Sequence, residues 1–127
     1  MYITINFKMD EFECHDGTPV PYQLEENVRL VAENLQVLRD YLNKPVHVLS
    51  GYRTKSYNSH LKGASPKSQH MLGKAADIVV HGIPPWKIAD MIEELIRKGK
   101  MMEGGVGRYD NFTHYDVRGH RARWDLT

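Results

Sequence analysis

The chain has 127 residues, 41% of them hydrophobic and 26% charged, with a formal net charge of +1. This length predicts one domain over residues 1–127, with enough aliphatic side chains for a core. The nearly balanced charge disfavours a nucleic-acid-binding protein, which usually concentrates basic residues on one face, and no apolar stretch is long enough to span a bilayer. Cys14 is the only cysteine, so no internal disulfide can form.

The first predicted element is an amphipathic helix. Apolar residues recur at three- and four-residue steps from Leu24 to Leu42, and Pro45 disfavours helical geometry in the residue before it. Short strands are predicted for Val46–Ser50, where His47 is expected to be packed, and for Ala75–His81. A mostly polar loop lies between these strands, and long polar loops in compact domains are usually functional.

The second half of the chain predicts another helix and a hairpin. Two prolines precede a helix over Trp86–Lys98, which Gly99 is placed to cap. Two strands, Gly104–Tyr109 and Phe112–Arg118, then flank a tight turn. Helix, strand, loop, strand, helix and hairpin in this order predict an α+β fold, in which helices pack on one face of a mainly antiparallel sheet.

The polar loop ends in residues that suit a metal ion. It reads Ser68-Gln-His70-Met-Leu-Gly73-Lys-Ala-Ala-Asp77, which offers one imidazole nitrogen and one carboxylate oxygen. Both are zinc ligands, and Gly73 allows the chain to fold back so that they converge. Taken alone, a hydrogen-bonded loop histidine and a capping or paired carboxylate are the simpler explanation.

The last predicted strand adds a second set of polar residues. Because side chains alternate across a strand, His114, Asp116 and Arg118 share one face while Tyr115 and Val117 face the core. Two histidines and one carboxylate leave a fourth zinc position for water, as catalytic zinc sites do. A nearby carboxylate must then accept a proton and a cation must steady the oxyanion. Asp116 and Arg53 are candidates, although a turn arginine is often solvated or structurally paired.

Five short motifs extend over most of the chain, from about Phe7 to Trp124: Ser50-Gly-Tyr-Arg53, Ser68-x-His70-x-x-Gly73-x-Ala75-x-Asp77, Gly104-Gly-Val-Gly-x-Tyr109, Phe112-x-His114-x-Asp116 and Arg123-Trp124. Together they resemble the M15 metallopeptidases, especially the short branch with zinc D-Ala-D-Ala carboxypeptidases, murein endopeptidases and phage endolysins. The resemblance implies a hedgehog-like α+β fold with zinc held by a triad of ligands: His70, Asp77 and His114.

The resemblance also implies roles around the zinc. Arg53 matches an arginine that binds a substrate carbonyl or carboxylate oxygen, and Ser68 matches a small polar residue beside the substrate. Asn111 stands where several branches carry a catalytic glutamate. Asp116 is therefore assigned as the general base, and the alternative is that it orients a ligand histidine.

The implied function is hydrolysis of bacterial cell-wall (murein) stem or crosslink peptides by zinc-activated water. The alternatives are a non-catalytic cell-wall or peptide-binding module that retains the fold and zinc site, and a structural zinc protein. Carboxypeptidase and endopeptidase activity both remain open, as do the D-Ala-D-Ala, L-Ala-D-Glu and diaminopimelate bonds. The expected partner is a peptidoglycan peptide, with no nucleic acid or membrane, and a monomer is expected.

The first residues, Met1–Lys8, contain neither a basic segment nor an apolar run. No cleaved signal peptide is therefore predicted. With a cell-wall substrate, this leads us to expect either cytoplasmic synthesis and release by lysis, as for a phage or prophage enzyme, or a leader that lies outside this sequence.

Overall fold

The computed structural model describes residues Met1–Thr127 and contains one five-stranded sheet with the order β1-β2-β4-β3-β5. The strands are β1 His47–Ser50, β2 Ala75–Val79, β3 Gly105–Arg108, β4 Thr113–Asp116 and β5 Ala122–Asp125. Three strand pairings are antiparallel, whereas β3 and β5 are parallel. The predicted α+β fold with a mainly antiparallel sheet is confirmed, and β5 is an addition that sequence periodicity did not predict.

Residues that favour helix ends lie at the C-terminus of the first long helix and at the N-terminus of the second. Helix α1 spans Glu25–Leu42 and ends at Asn43, whose φ of 53° is left-handed, a conformation that asparagine tolerates at helix ends. After the short helix α2, Lys55–Ser59, helix α3 spans Pro85–Arg97 with its proline at the first position, where the missing N–H costs no hydrogen bond. None of the helices is both long and apolar enough to cross a membrane.

One face of the sheet forms the hydrophobic core with α1 and α3. The helices contribute fully buried aliphatic side chains such as Leu35 and Ile92, and the strands contribute Ile78, Val106 and Tyr115. Because side chains alternate along a strand, the neighbours of these core residues point to the opposite face of the sheet. That opposite face carries the polar residues of β2 and β4.

Strand β1 lies at the edge of the sheet and pairs only with β2. The side chain of His47 is consequently exposed, so the expectation that it would be packed in a buried strand is wrong. The central pairing of β2 with β4 sets Asp77 directly opposite His114. This register places one residue of the Ser68–Asp77 motif beside one residue of the Phe112–Asp116 motif.

Candidate metal centre

Two imidazoles and one carboxylate converge on the sheet face opposite the helices. The possible ligand atoms of His70, Asp77 and His114 lie within 4.8 Å of one another, and the three residues are only 3–6% exposed. Oδ1 of Asp77 lies 3.2 Å from Nε2 of His70 and 3.0 Å from Nδ1 of His114. The structure thus brings together the three residues that the sequence predicts as metal ligands.

Each imidazole has its other nitrogen held by a hydrogen bond. Nδ1 of His70 donates to the carbonyl oxygen of Gly51 at 2.7 Å, which directs Nε2 toward Asp77. Nε2 of His114 lies 2.7 Å from Oδ2 of Asp116, which directs Nδ1 toward the same carboxylate. Metal-binding histidines characteristically have such partners, which fix the tautomer and the ring orientation. The donor set and its support therefore fit a divalent ion such as zinc.

The turn that carries His70 explains how the loop residues meet. Ser68 precedes a 3₁₀ turn, Gln69–Leu72, and its Oγ accepts a hydrogen bond from the N–H of His70 at 3.2 Å. Gly73 ends the turn with φ +68°, a conformation that glycine adopts without strain. The chain then enters β2, so that Asp77 returns to His70 as the sequence predicts.

The charge state of Asp77 suits a metal ligand. Burial raises the pKa of this carboxyl group, but its contacts with the His114 and His70 imidazoles outweigh burial and hold the pKa well below its usual range. Burial is also the main influence on His70, and it lowers the pKa of that imidazole. At neutral pH, Asp77 is therefore an anion and His70 is a neutral imidazole.

Arg53 lies at the edge of the cluster and is fixed in three directions. Its Nη2 donates to Oδ2 of Asp77 at 3.1 Å, its Nε to Oγ of Ser50 at 3.2 Å, and its Nη1 to Oδ1 of Asn58 at 3.3 Å. The side chain is 13% exposed and lines the cleft. Arg53 is thus both structurally paired and accessible. Asn58 is buried and orients the guanidinium.

Asp116 lies behind His114 and does not line the cleft. Its fully buried carboxylate accepts hydrogen bonds from the N–H groups of Gly105 and Arg118 and from the Arg118 guanidinium, at 2.8–3.1 Å. A Cβ atom at Gly105 would lie 2.2 Å from Oδ2 of Asp116, so glycine is required for this approach. Of the two roles that the sequence left open, this geometry favours orientation of His114 over general-base catalysis.

The metal cluster, by which we mean the three side chains of His70, Asp77 and His114, forms part of the lining of a cleft of about 690 Å³. One wall is aromatic: the Trp124 ring lies 4.9 Å from that of His114, Nε1 of Trp124 donates to the Tyr109 hydroxyl at 2.8 Å, and Tyr109 stacks on Phe112. A Cβ atom at Gly107 would lie 2.5 Å from the indole, which explains a glycine in the middle of β3. The sequence placed Trp124 in a family motif but did not predict its place beside His114.

Metal-dependent hydrolases hold their ion with protein ligands of this kind, imidazoles and a carboxylate, and keep one further position open for water. Residues 5–116 match the model of the family described as Peptidase M15, and the chain therefore belongs to this peptidase family. The predicted membership of the M15 metallopeptidases is confirmed.

Two relatives are similar over much of the chain. It is 30% identical over 116 residues to the probable peptidoglycan L,D-endopeptidase MepK of Haemophilus influenzae, a match that covers 87% of the chain and 59% of the relative. It is 37% identical over 89 residues to the peptidoglycan L,D-endopeptidase MepK of Escherichia coli K12, covering 64% and 44% respectively. The chain spans about half the length of the curated relatives it matches.

Proposed function

We propose that the chain is a zinc-dependent peptidase that hydrolyses stem or crosslink peptides of peptidoglycan and acts at the cell wall. The observation that carries the proposal is the buried cluster of His70, Asp77 and His114 beside an accessible cleft. The names of the two similar proteins support peptidoglycan as the substrate and favour endopeptidase over carboxypeptidase activity.

The proposed roles follow from the contacts of each side chain. Zinc supplies a Lewis acid and an activated water when it is bound, and His70, Asp77 and His114 are the residues that would hold it. Arg53 is proposed to bind a substrate carbonyl or carboxylate oxygen, since Ser50 and Asn58 already fix its planar guanidinium at the cleft.

Two further residues are given supporting roles. Ser68 lines the cleft and is proposed to lie beside the substrate while it caps the turn that carries His70. Asp116 is proposed to orient His114, because its carboxylate is engaged in five hydrogen bonds, one of them with His114, and does not line the cleft.

A second candidate function is a non-catalytic peptide-binding module that retains the fold and the metal site. One observation favours it: Asp77 is the only carboxylate that lines the cleft, and it is already engaged by two histidines and Arg53. A separate carboxylate that accepts a proton from water is thus missing from the cleft lining. General-base catalysis commonly requires such a group.

The two candidates are separated by incubating the zinc-loaded chain with purified peptidoglycan of several types. Mass spectrometry of the soluble fraction identifies released peptides, and co-sedimentation measures binding. If the chain is a peptidase, we expect new peptide ends with the wild type. These ends should be absent with the His114→Ala variant and in the presence of excess chelator. Binding without release would support the module, and neither release nor binding would refute both.

A further inference from the structure

The cleft beside the metal cluster carries a surplus of positive charge. Four cationic side chains line it, but only one carboxylate does, that of Asp77; the cations are Arg53, Lys62, Lys67 and Arg118. The whole chain has a formal net charge of only +1. The surplus is therefore a local property of the cleft, and local fields of this kind attract ligands of opposite charge.

Two of the four cations already have partners, and two do not. Arg53 pairs with Asp77 at 3.1 Å, and Arg118 pairs with Asp116 at 2.8 Å. Lys62 and Lys67 form no salt bridge within the chain. Both are exposed, so their ammonium groups are free to bind an anion that enters the cleft.

The loop that carries the two lysines is tied to the metal site. Nδ2 of Asn58 donates to the carbonyl oxygen of Ser65 at 2.9 Å, while Oδ1 of the same amide accepts from Arg53. The N–H of Ser68 donates to the Ser65 carbonyl at 3.1 Å, and Ser68 caps the turn of His70. Lys62 and Lys67 are therefore held on a loop whose position is set by the same residues that position the site.

The aromatic wall of the cleft, which consists of Tyr109, Phe112 and Trp124, carries no formal charge. The unpaired positive charge is thus concentrated on the loop side. A peptide that lies in the cleft with one carboxylate on the loop side gains two attractive interactions there. An amide in place of that carboxylate has nearly the same shape but no charge, so it gains neither.

We propose that Lys62 and Lys67 bind a free carboxylate of the peptide substrate, so that the site prefers peptides with free side-chain and branch carboxylates over amidated ones. The inference rests on the proposed function for its choice of a peptide ligand. Exposed ion pairs contribute modestly, with each pair worth up to about fivefold in affinity. Two such pairs predict a preference of about three- to twentyfold at low salt.

The test uses one synthetic tetrapeptide in two forms, L-Ala-γ-D-Glu-meso-diaminopimelate-D-Ala with its glutamate and diaminopimelate carboxylates free or amidated. Affinity is measured by titration calorimetry on the zinc-loaded full chain, and hydrolysis of the same two forms within crosslinked dimers is followed by chromatography. The variants are Lys62→Gln/Lys67→Gln, which removes both charges, and Lys67→Glu, which reverses one. Lys44→Gln is the matched control, since Lys44 is exposed and does not line the cleft.

The wild type and Lys44→Gln are expected to prefer the free-acid peptide, and the preference should shrink toward one between about 0.02 and about 0.5 M salt because screening strengthens. The double variant should bind both forms equally, mainly by losing affinity for the acid, and Lys67→Glu should also lose the preference, because the new carboxylate offsets the charge of Lys62. Equal binding by the wild type, or an undiminished preference in the double variant, refutes the inference. If the wild type hydrolyses the peptides but binds the acid and amide forms equally, only the inference is refuted. If it prefers the acid form but hydrolyses neither, only the proposed function is refuted. If it binds neither form, both are refuted.

Discussion

The substitution Asp116→Asn tests how His114 is prepared for a metal ion. The carboxylate accepts the N–H groups of Gly105 and Arg118 at one oxygen, and faces Nε2 of His114 at 2.7 Å with the other. An asparagine can keep its oxygen on the first side only by turning its NH₂ group toward His114. That amide donates to Nε2, which favours a proton on Nδ1, the nitrogen that faces Asp77.

The expected effects concern metal affinity first and stability second. Loss of an orienting carboxylate weakens metal binding by about 10- to 100-fold, because Nδ1 must give up its proton before it can act as a ligand. Loss of hydrogen bonds between a buried carboxylate and the Arg118 guanidinium is worth about 1–3 kcal/mol of unfolding free energy. For a chain of this size that is roughly 3–12 °C in melting temperature.

The assay is a zinc titration against a chromophoric chelator, combined with melting curves and peptide hydrolysis at saturating zinc. Asp110→Asn is the control, because this residue is exposed in the adjacent hairpin turn and should change none of these quantities. Activity that returns to within a few fold at saturating zinc agrees with an orienting role. Unchanged zinc affinity with a turnover loss of about 10²–10⁴-fold would refute the reasoning and restore Asp116 as the general base.

Three further predictions follow from the same contacts. The chain should bind one zinc ion, and alanine at any one of the three proposed ligands should greatly weaken binding as measured by metal analysis after dialysis: His70, Asp77 or His114. Arg53→Lys should lower kcat/KM at least about tenfold in protein that remains folded, because an ammonium cannot reproduce the three diverging guanidinium contacts; wild-type kinetics would remove Arg53 from the mechanism. Gly107→Ala should cost about 1–3 kcal/mol of stability by displacing Trp124, and an unchanged melting temperature with unchanged Trp124 fluorescence would contradict this.

The helices and the central strands were predictable because their residues repeat with a clear period. The apolar residues of α1 and α3 recur at helical spacing, and the alternation in β4 separates Tyr115 from His114. Strand β5 was not predicted. It is no shorter than β1, β3 or β4, but none of its side chains is buried. What holds it is long-range: it pairs in parallel with β3, and the Arg123 side chain donates to the carbonyl oxygen of Gly104.

The metal cluster was predictable for a different reason. His70 and Asp77 lie on either side of a glycine turn that brings them together locally, and the loop around them is too polar to be core. His114 joins them through strand register, which sequence period alone does not specify. The role of Asp116 could not be assigned from its spacing. His114 and Asp116 share a strand face, but this alone does not show whether the Asp116 carboxylate points into the cleft or contacts the His114 ring.

The contacts around the cluster form a continuous series of side chains, in which each carboxylate has a basic group on both sides: Arg53, Asp77, His114, Asp116 and Arg118. Each carboxylate lies between a guanidinium and an imidazole. The pKa of Asp116 is accordingly held well below its usual range, because hydrogen bonds from His114 and Arg118 outweigh the burial that raises it. A carboxylate stabilised this strongly as an anion is a poor proton acceptor, but it is a firm hydrogen-bond partner for His114. The same electrostatics that make Asp116 unsuitable as a base therefore suit it to keep Nδ1 of His114 directed at the metal site.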